Sequence, residues 1–169
     1  MIERVYSRDG ITIYQGDADE WPGDEKIDLV LTNPYGPMPA RLRETPMILH
    51  QWGYRKHEAE RLAGIPIGSL QLIGTWNSDR ESFWAANMEA RAVDLQRFKP
   101  VAGGWYPEEL PRILLRAFAC KGWTIWDGFM GRGTVGKAAR ELGMKYVGVE
   151  QRQAHVDLAL DYLELRSPS

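Results

Sequence analysis

The chain has 169 residues, a formal net charge of -2 and a hydrophobic fraction of 44%. This length predicts a single domain with a substantial core, and the charge balance excludes a strongly basic nucleic-acid binder but not a local positive face. The single cysteine, Cys120, excludes a disulfide framework and a multi-cysteine metal site, and its apolar surroundings predict a buried side chain. No secretory core or run of about 18 apolar residues is present, so we expect a soluble cytoplasmic protein that does not contact membranes.

The first half of the chain predicts two strands that each end in a polar turn. The strands are 11–14 and 27–32, rich in β-branched and apolar residues. Asp17 follows the first strand, and Asn33-Pro34-Tyr35-Gly36 follows the second. Three prolines predict a loop from Pro37 onwards to Gln51, and a helix is expected over 54–63, where Gly64 ends it.

The second half continues the alternation of strands and helices. A third strand is expected over 69–76, and Asp79 could cap a helix that runs to about Val93. The segment 96–104 looks irregular. Pro107 and two acidic residues begin another helix, regular from about Leu110. Strands that alternate with helices indicate an α/β fold with a mostly parallel sheet and helices on both faces.

A glycine-rich loop, Asp127 to Gly136, lies late in the chain. An apolar run precedes it, and a helical pattern and a second apolar run that ends at Glu150 follow it. This strand, turn, helix and strand unit is typical of nucleoside-containing cofactor sites. Only nineteen residues follow Glu150. The remaining strands of the sheet must therefore precede the loop, which predicts a circularly permuted domain.

The acidic residues around the loop indicate which cofactor it suits. Asp127 at the strand end would repel the diphosphate of a dinucleotide, but it suits the positive ammonium and sulfonium of S-adenosylmethionine. Glu150 can accept hydrogen bonds from both ribose hydroxyls, while Gly131 and Gly133 allow a close backbone approach. The alternatives are a tight turn without a ligand and, least favoured, the NAD site of a dehydrogenase.

These segments resemble a known family. Trp126 to Thr134 is similar to the D-P-F-x-G-x-G-T motif of DNA amino-methyltransferases, and five of its residues match: Asp127, Phe129, Gly131, Gly133 and Thr134. Gly128 stands where proline is usual. The segment 143–150 resembles the family's L-G-R-x-x-I-G-I-E segment, and the helix from Pro107 to Phe118 resembles its other cofactor-contacting helix. The resemblance implies S-adenosylmethionine as cofactor, with Phe129 in contact with it and Asp17 near its adenine.

The turn after the second strand suits methylation of an exocyclic amine. The lone pair of such an amine is delocalised, so the amine needs acceptors that aim it at the methyl group. The Asn33 side chain offers one carbonyl, and the backbone of Asn33 or Pro34 offers another. Tyr35 offers a flat surface on which an extruded base can stack. A structural turn is the alternative, since Asn-Pro-Tyr-Gly is common in turns.

This turn resembles the family's [DNS]-P-P-[YFW] motif, with one proline missing. Either Asn33 is the polar acceptor, which we favour, or Thr32 takes that place and Asn33 replaces the first proline. The order, catalytic turn before cofactor loop, resembles the β-type arrangement of adenine-N6 and cytosine-N4 methyltransferases. An asparagine at the motif's head leans to adenine N6.

The resemblance implies a Rossmann-like, S-adenosylmethionine-dependent methyltransferase domain over 1–169, with a catalytic half over 1–104 and a cofactor half over 105–169. It implies that the substrate is DNA with a flipped target base. It also implies a bacterial protein, or a phage protein in the host cytoplasm, with a role in restriction-modification or in a phage. The small recognition region predicts loose specificity, a homodimer or a helper subunit. Cytosine-N4, RNA or protein-amide methylation, and a catalytically inactive cofactor-binding subunit, remain alternatives.

The middle of the chain has a modest basic bias with aromatic residues interspersed. Phosphate contact with base stacking is one interpretation, and a solvated helix face is the other. The same two interpretations hold for three further basic residues, Arg91, Arg97 and Lys99. No metal site is expected, since His50 and His57 lack acids at ligand spacing. The basic and aromatic residues are Arg41, Arg43, Trp52, Tyr54, Arg55, Lys56, Arg61, Arg91, Arg97 and Lys99.

Overall fold

The computed structural model describes residues 1–52, 55–76, 80–96, 98 and 107–166. Within these ranges the chain forms eight strands and four α-helices. The strands are β1 (Glu3–Arg8), β2 (Ile11–Gln15), β3 (Leu29–Thr32), β4 (Met47–Trp52), β5 (Gln71–Trp76), β6 (Glu81–Ala86), β7 (Thr124–Asp127) and β8 (Lys145–Glu150). The helices are α1 (Lys56–Ala63), α2 (Glu109–Phe118), α3 (Thr134–Glu141) and α4 (Gln153–Tyr162).

All eight strands belong to one sheet, in the order β1-β2-β8-β7-β3-β4-β6-β5. The five central strands, from β2 to β4 in this order, are parallel. The strands outside them, β1, β6 and β5, pair antiparallel. Since β7 and β8 come last in the sequence but lie at the centre of the sheet, the chain order is permuted, and the predicted mostly parallel, permuted α/β fold is confirmed.

Helices cover both faces of this sheet, because the central strands are apolar on both sides. Helices α2, α3 and α4 pack on one face, where Leu114, Val135 and Val156 are buried. Helix α1 and the loops after β2 and β3 cover the other, where Trp21 and Ala59 are buried. The carboxyl ends of the parallel strands are left uncovered by these layers and form one edge, which is called the carboxyl edge below.

Two secondary-structure predictions are wrong, and they concern the neighbouring strands β4 and β6, which pair antiparallel with each other. The helix expected from Asp79, which lies outside the described residues, to Val93 is instead strand β6, followed by irregular backbone. All six residues of β6 are buried between β4 and β5, so cross-strand pairing decides its conformation. The loop expected over 37–51 contains most of β4, whose Met47, Ile48 and Leu49 are inaccessible to solvent.

Three further observations complete the fold. Cys120 is exposed, contrary to the expectation of burial, because α2 ends at Phe118 and Cys120 lies in the turn beyond it. The irregular segment expected over 96–104 lies mostly outside the described residues. In the part of the chain that the structure describes, every helix is too short or too polar to cross a membrane.

Candidate active site at the carboxyl edge

The two predicted loops meet at the carboxyl edge. Strand β3 lies beside β7 in parallel register, with Leu29 opposite Ile125. The turn that begins at Asn33 therefore emerges next to the loop that begins at Asp127. A hydrogen bond joins the two strand ends, since Thr32 Oγ1 donates to Asp127 Oδ1 at 2.6 Å across 95 positions of sequence.

Asp127 is a buried carboxyl group with a perturbed protonation equilibrium. Its side chain also accepts hydrogen bonds from the Phe129 backbone N–H at 3.3 Å and from Tyr146 Oη at 3.4 Å. Burial disfavours the charged form and raises the pKa of Asp127 to about 7, although the hydrogen bond from Thr32 opposes the rise. A cation bound beside this carboxyl would restore its ionised form.

Glu150, at the end of β8, is held by backbone donors. The Gly131 N–H donates to Glu150 Oε2 at 3.0 Å, and the Arg152 N–H donates to Oε1 at 2.9 Å. Each carboxylate oxygen has a second lone pair for another donor. His155, for which the sequence indicated no role, lies in the first turn of α4 with Nδ1 3.6 Å from Glu150 Oε2. Glu150 is thus oriented before any ligand binds.

Asp17, the first of the predicted cofactor residues, flanks Glu150 on the neighbouring strand end. The Gly16 N–H donates to the Glu150 backbone carbonyl at 3.1 Å, which fixes the turn after β2 beside β8. Asp17 itself is exposed and accepts a 2.6 Å hydrogen bond from Gln151 Nε2. Three carboxyl groups therefore lie at the ends of three consecutive strands, Asp17 after β2, Glu150 on β8 and Asp127 on β7.

The glycine loop turns sharply into α3. Gly131 and Gly133 have φ of +54° and +84°, a region that side chains rarely adopt. Gly133 is the residue before the first residue of α3, Thr134. Gly128, which departs from the family motif, is explained by its neighbour, because a Cβ on Gly128 would overlap the indole ring of Trp126. Glycine therefore replaces the usual proline at this position because the buried Trp126 side chain occupies the space that a Cβ would need.

The catalytic turn presents its side chains to the same space. Asn33 Nδ2 donates to Tyr35 Oη at 2.8 Å, which leaves the Asn33 carbonyl directed elsewhere. Tyr35 is 70% exposed and meets Phe129 edge to face, with ring centroids 6.3 Å apart. Pro34 is buried, and its carbonyl accepts a 3.1 Å hydrogen bond from Gln51 Nε2.

A cavity of about 530 Å³ joins both loops, a volume typical of small-molecule sites. Eight of the ten residues predicted for the site line this cavity: Asp17, Asn33, Tyr35, Asp127, Phe129, Gly131, Thr134 and Glu150. Pro34 and Gly133 do not line it and instead shape the two turns. The cavity extends across the sheet from β2 to β6.

The far end of the cavity contains a buried pair that the sequence did not reveal. His50 Nε2 of β4 lies 2.6 Å from Glu81 Oε2 of β6, and both side chains are at most 5% exposed. The imidazole stacks on Phe83 at 4.6 Å, and burial lowers the pKa of His50 despite the adjacent carboxylate. An apolar run that ends in polar residues was the only available signal for His50.

The basic residues noted in the sequence do not form one patch. Arg55 and Lys56 begin α1 and thus lie near the carboxyl edge, whereas Arg61 lies in the last turn of α1, at the opposite edge. Arg43 also lies at the opposite edge, where Asn87 after β6 donates to its carbonyl. Arg41 lies over the Trp21 ring. Tyr54, Arg97 and Lys99 lie outside the described residues, and Arg91 lies over the Phe118 ring on the face covered by α2.

Comparison with known proteins places this site in a family. The model of the DNA methylase family (N6_N4_Mtase) matches residues 75–161. Type II methyltransferase M.XycI of Xanthomonas campestris pv. cyanopsidis is 28% identical over 143 residues, which are 82% of this chain and 44% of M.XycI. The chain thus spans less than half the length of this relative.

Two solved structures share the fold. The PvuII DNA methyltransferase (cytosine-N4-specific) superposes with a TM-score of 0.69 at 12% identity, over 99% of this chain and 90% of that chain. The M1.HpyAVI-SAM complex superposes with a TM-score of 0.65 at 19% identity, over 90% of this chain and 98% of that chain. The family match spans more than half of the chain and includes the glycine loop and the strands before and after it, β7 and β8. The resemblance noted in the sequence is therefore confirmed, and the chain belongs to the DNA methylase family.

Proposed function

We propose that this chain is an S-adenosylmethionine-dependent DNA methyltransferase that acts on the exocyclic amine of a base, with adenine N6 as the first candidate. One observation carries the proposal: the Thr32 to Asp127 hydrogen bond joins an amine-accepting turn to an acidic cofactor pocket in one cavity. Neither half alone would support more than a nucleotide fold or a turn. The family match supports the same reaction class.

The pocket residues fit S-adenosylmethionine. Asp127 is buried without a cation among its hydrogen-bond partners in the described chain, so an ammonium group would complete it. Glu150 has lone pairs left for ribose hydroxyls, and Asp17 lies beside it. Phe129 gives an apolar wall. When bound, the cofactor supplies an electrophilic methyl group. M1.HpyAVI, which has the same fold, was solved in complex with this cofactor.

Asn33 is the proposed acceptor for the reacting amine. Its amide N–H₂ is engaged with Tyr35, which orients the carbonyl oxygen as the free acceptor. The alternative register is less favoured, because the Thr32 side chain is buried and its hydroxyl is directed at Asp127 rather than at the Asn33 end of the cavity. The Pro34 carbonyl is the proposed second acceptor. Two fixed acceptors would hold the amine in line with the methyl group, and such orientation is a major source of rate.

The remainder of the base would occupy the far end of the cavity. Since the cofactor carboxylates lie on β2, β8 and β7, the ring attached to an amine at Asn33 must extend towards β4 and β6. Tyr35 and Phe129 offer aromatic contacts there, and the buried His50 and Glu81 pair forms the end wall. Strand spacing of about 4.8 Å makes this end wide enough for a flipped base.

DNA would approach the carboxyl edge. Arg55 at the start of α1, Arg80 before β6 and Arg152 after β8 are exposed there. Phosphate contacts from these residues would position the duplex without reading its sequence. The described chain offers little further surface for reading bases, so we propose loose specificity or a second copy or helper subunit. In the proposed division, 1–104 form the catalytic half, which also contributes Asp17 to the cofactor pocket, and 105–169 form the cofactor half.

Cytosine N4 is the second candidate substrate, because the PvuII enzyme with the same fold is cytosine-N4-specific. Asn33 favours adenine by the motif resemblance. The amine of an RNA base or of a protein side-chain amide also has a delocalised lone pair and could be methylated in the same way. The order of catalytic turn before cofactor loop, however, is typical of DNA enzymes. An inactive cofactor-binding subunit would bind S-adenosylmethionine without turnover.

The deciding experiment incubates the protein with methyl-labelled S-adenosylmethionine and unmethylated DNA, and then identifies the labelled nucleoside after digestion. We expect N6-methyladenine, whereas N4-methylcytosine would select the second candidate. Asn33→Ala should abolish the product and leave cofactor affinity unchanged, and Glu150→Ala should weaken cofactor binding. Asn87→Ala, at the opposite edge, is the matched asparagine control. Absence of any labelled base, with cofactor bound, would reject catalysis by this chain.

A further inference from the structure

The catalytic turn lacks one of the two prolines of its family motif, and this absence has a defined conformational cost. A proline restricts the residue before it to extended backbone, because its ring clashes with that residue. In the family pattern the second proline therefore restricts ψ of the first, and ψ determines where the carbonyl of the first proline points. Tyr35 follows Pro34 in this chain, so the Pro34 carbonyl lacks that restraint.

Gln51 contacts this carbonyl directly. Its Nε2 donates to Pro34 O at 3.1 Å, and the side chain is 6% exposed. The parallel register explains the contact: Thr32 pairs with Leu49, so two residues further along, Gln51 lies level with Pro34. The donor comes from the end of a strand, which is a firmer support than a loop.

The strand end that carries Gln51 is itself fixed from the other side. Gln51 pairs with Ser82 of β6, and Ser82 Oγ donates to the Gln51 carbonyl at 3.4 Å. Trp84 Nε1 donates to the same Ser82 hydroxyl at 2.8 Å. These buried contacts hold Gln51 in place from its backbone, so that its amide can restrain Pro34 rather than follow it.

We propose that Gln51 is a positioning residue that substitutes for the missing proline by fixing the Pro34 carbonyl as an acceptor for the target amine. This inference rests on the proposed function. A carbonyl oxygen has two lone pairs, and Gln51 occupies one, which leaves the other for the amine. Loss of the Gln51 donor would let the carbonyl rotate away while the cofactor pocket, built on β2, β7 and β8, stays intact.

The test compares Gln51→Met, which keeps length and volume but loses the donor, with Gln71→Met at an exposed position of β5 as the matched control. We expect kcat of Gln51→Met to fall roughly 10- to 100-fold, as misplacement of reacting groups causes, with Kd for S-adenosylmethionine unchanged. Gln71→Met should keep the wild-type kcat. A Gln51→Met enzyme with wild-type kcat would overturn the proposal.

The pH dependence of Gln51→Glu activity distinguishes a hydrogen-bond donor from a residue with a purely structural role. A protonated glutamic acid donates a hydrogen bond, whereas the carboxylate cannot and repels the carbonyl. Activity of Gln51→Glu relative to wild type should therefore rise as pH falls through the pKa of the new carboxyl group. The ratio of Gln51→Met to wild type should stay flat over the same range. A flat ratio for Gln51→Glu would contradict the role as donor.

Hydrogen exchange separates this proposal from the proposed function. Amide exchange of Tyr35, whose N–H shares a peptide unit with the Pro34 carbonyl, should accelerate in Gln51→Met and not in Gln71→Met, whatever the activity of the wild type. Unchanged exchange would refute the proposed role of the Gln51 to Pro34 hydrogen bond, even in an active enzyme. A wild-type protein that forms no methylated product would refute the proposed function instead. Faster exchange in Gln51→Met would still support the role of the Gln51 to Pro34 hydrogen bond.

Discussion

Thr32 and Asp127 are 95 positions apart in sequence, yet the Thr32 hydroxyl donates a 2.6 Å hydrogen bond to the Asp127 carboxyl. The bond connects the strand that carries the catalytic turn with the strand that carries the cofactor loop. The protonation state of Asp127 therefore depends on a residue of the other motif, and in the proposed site cofactor binding would depend on it too.

Thr32→Val should weaken cofactor binding. The substitution removes a hydrogen bond that stabilises the ionised carboxyl group, and so the pKa of Asp127 should rise further above 7. At pH 7 we expect Kd for S-adenosylmethionine to increase about 10-fold, which corresponds to roughly 1.4 kcal/mol. Isothermal titration calorimetry measures it. Thr32→Ser retains the donor and should bind normally; equal weakening in both variants would mean that shape, not the hydrogen bond, matters.

Cofactor affinity should depend on pH through Asp127. Below the pKa of about 7, the neutral carboxyl must lose a proton before it can pair with an ammonium group. Affinity should therefore fall as pH decreases below 7, by at most about tenfold per unit, and level off above it. Calorimetry between pH 5.5 and pH 8.5, roughly the range in which Asp127 titrates, tests this. Asp127→Asn should bind more weakly, without this pH dependence.

The same carboxyl predicts how stability depends on pH in the absence of cofactor. An aspartate in the unfolded chain releases its proton near pH 3.8, whereas the folded protein retains it to about 7. The folded state thus binds more protons between these values, so its free energy of unfolding decreases as pH rises from 4 to 7. Thermal melts should show a fall in Tm for the wild type. A smaller fall is expected for Asp127→Asn.

Gly128 should not tolerate a side chain while Trp126 is present. A Cβ at Gly128 would overlap the indole ring, and Trp126 is inaccessible to solvent, so Gly128→Ala should destabilise by about 1–3 kcal/mol. Urea denaturation measures the change. The double variant Trp126→Leu with Gly128→Ala should lose less stability than the sum of the single variants. Strict additivity would show that the two positions are independent.

The His50 and Glu81 pair should affect the base rather than the cofactor. Glu81→Gln keeps an acceptor for His50 Nε2 but removes the charge from the end wall of the cavity. We expect KM for DNA to rise about 10-fold, roughly the difference between a hydrogen bond to a charged acceptor and one to a neutral acceptor, with Kd for S-adenosylmethionine unchanged. Glu44→Gln at an exposed position is the control. A change confined to cofactor binding would contradict the position assigned to this pair.

The residues proposed for the cofactor could be located from the sequence because their signals are local. Asp127, Gly131 and Glu150 lie within 24 positions, at strand ends or in a glycine turn whose patterns are plain in the sequence. The turn at Asn33 was predictable for the same reason, as a polar segment after an apolar strand. Parallel pairing then brings these strand ends to one edge without further information.

The opposite wall was not predictable, since its residues look unremarkable until the strands pair. His50 and Gln51 interrupt the apolar run of β4 with polar side chains, which is typical of a loop. Their partners, Glu81 and Pro34, lie 31 and 17 positions away. In strand β6 four consecutive apolar residues follow Glu81 and Ser82 without alternation, a pattern that suits a helix as well as a buried strand.

The exposed thiol of Cys120 has a practical consequence. It follows α2 and precedes β7, and so lies at the edge of the sheet opposite the cavity. As the sole cysteine of the chain, it is a unique attachment point for a fluorophore or a surface linker. Protein immobilised through it would present its cavity to solution, which allows binding of cofactor and of DNA to be followed on single molecules without any engineered residue.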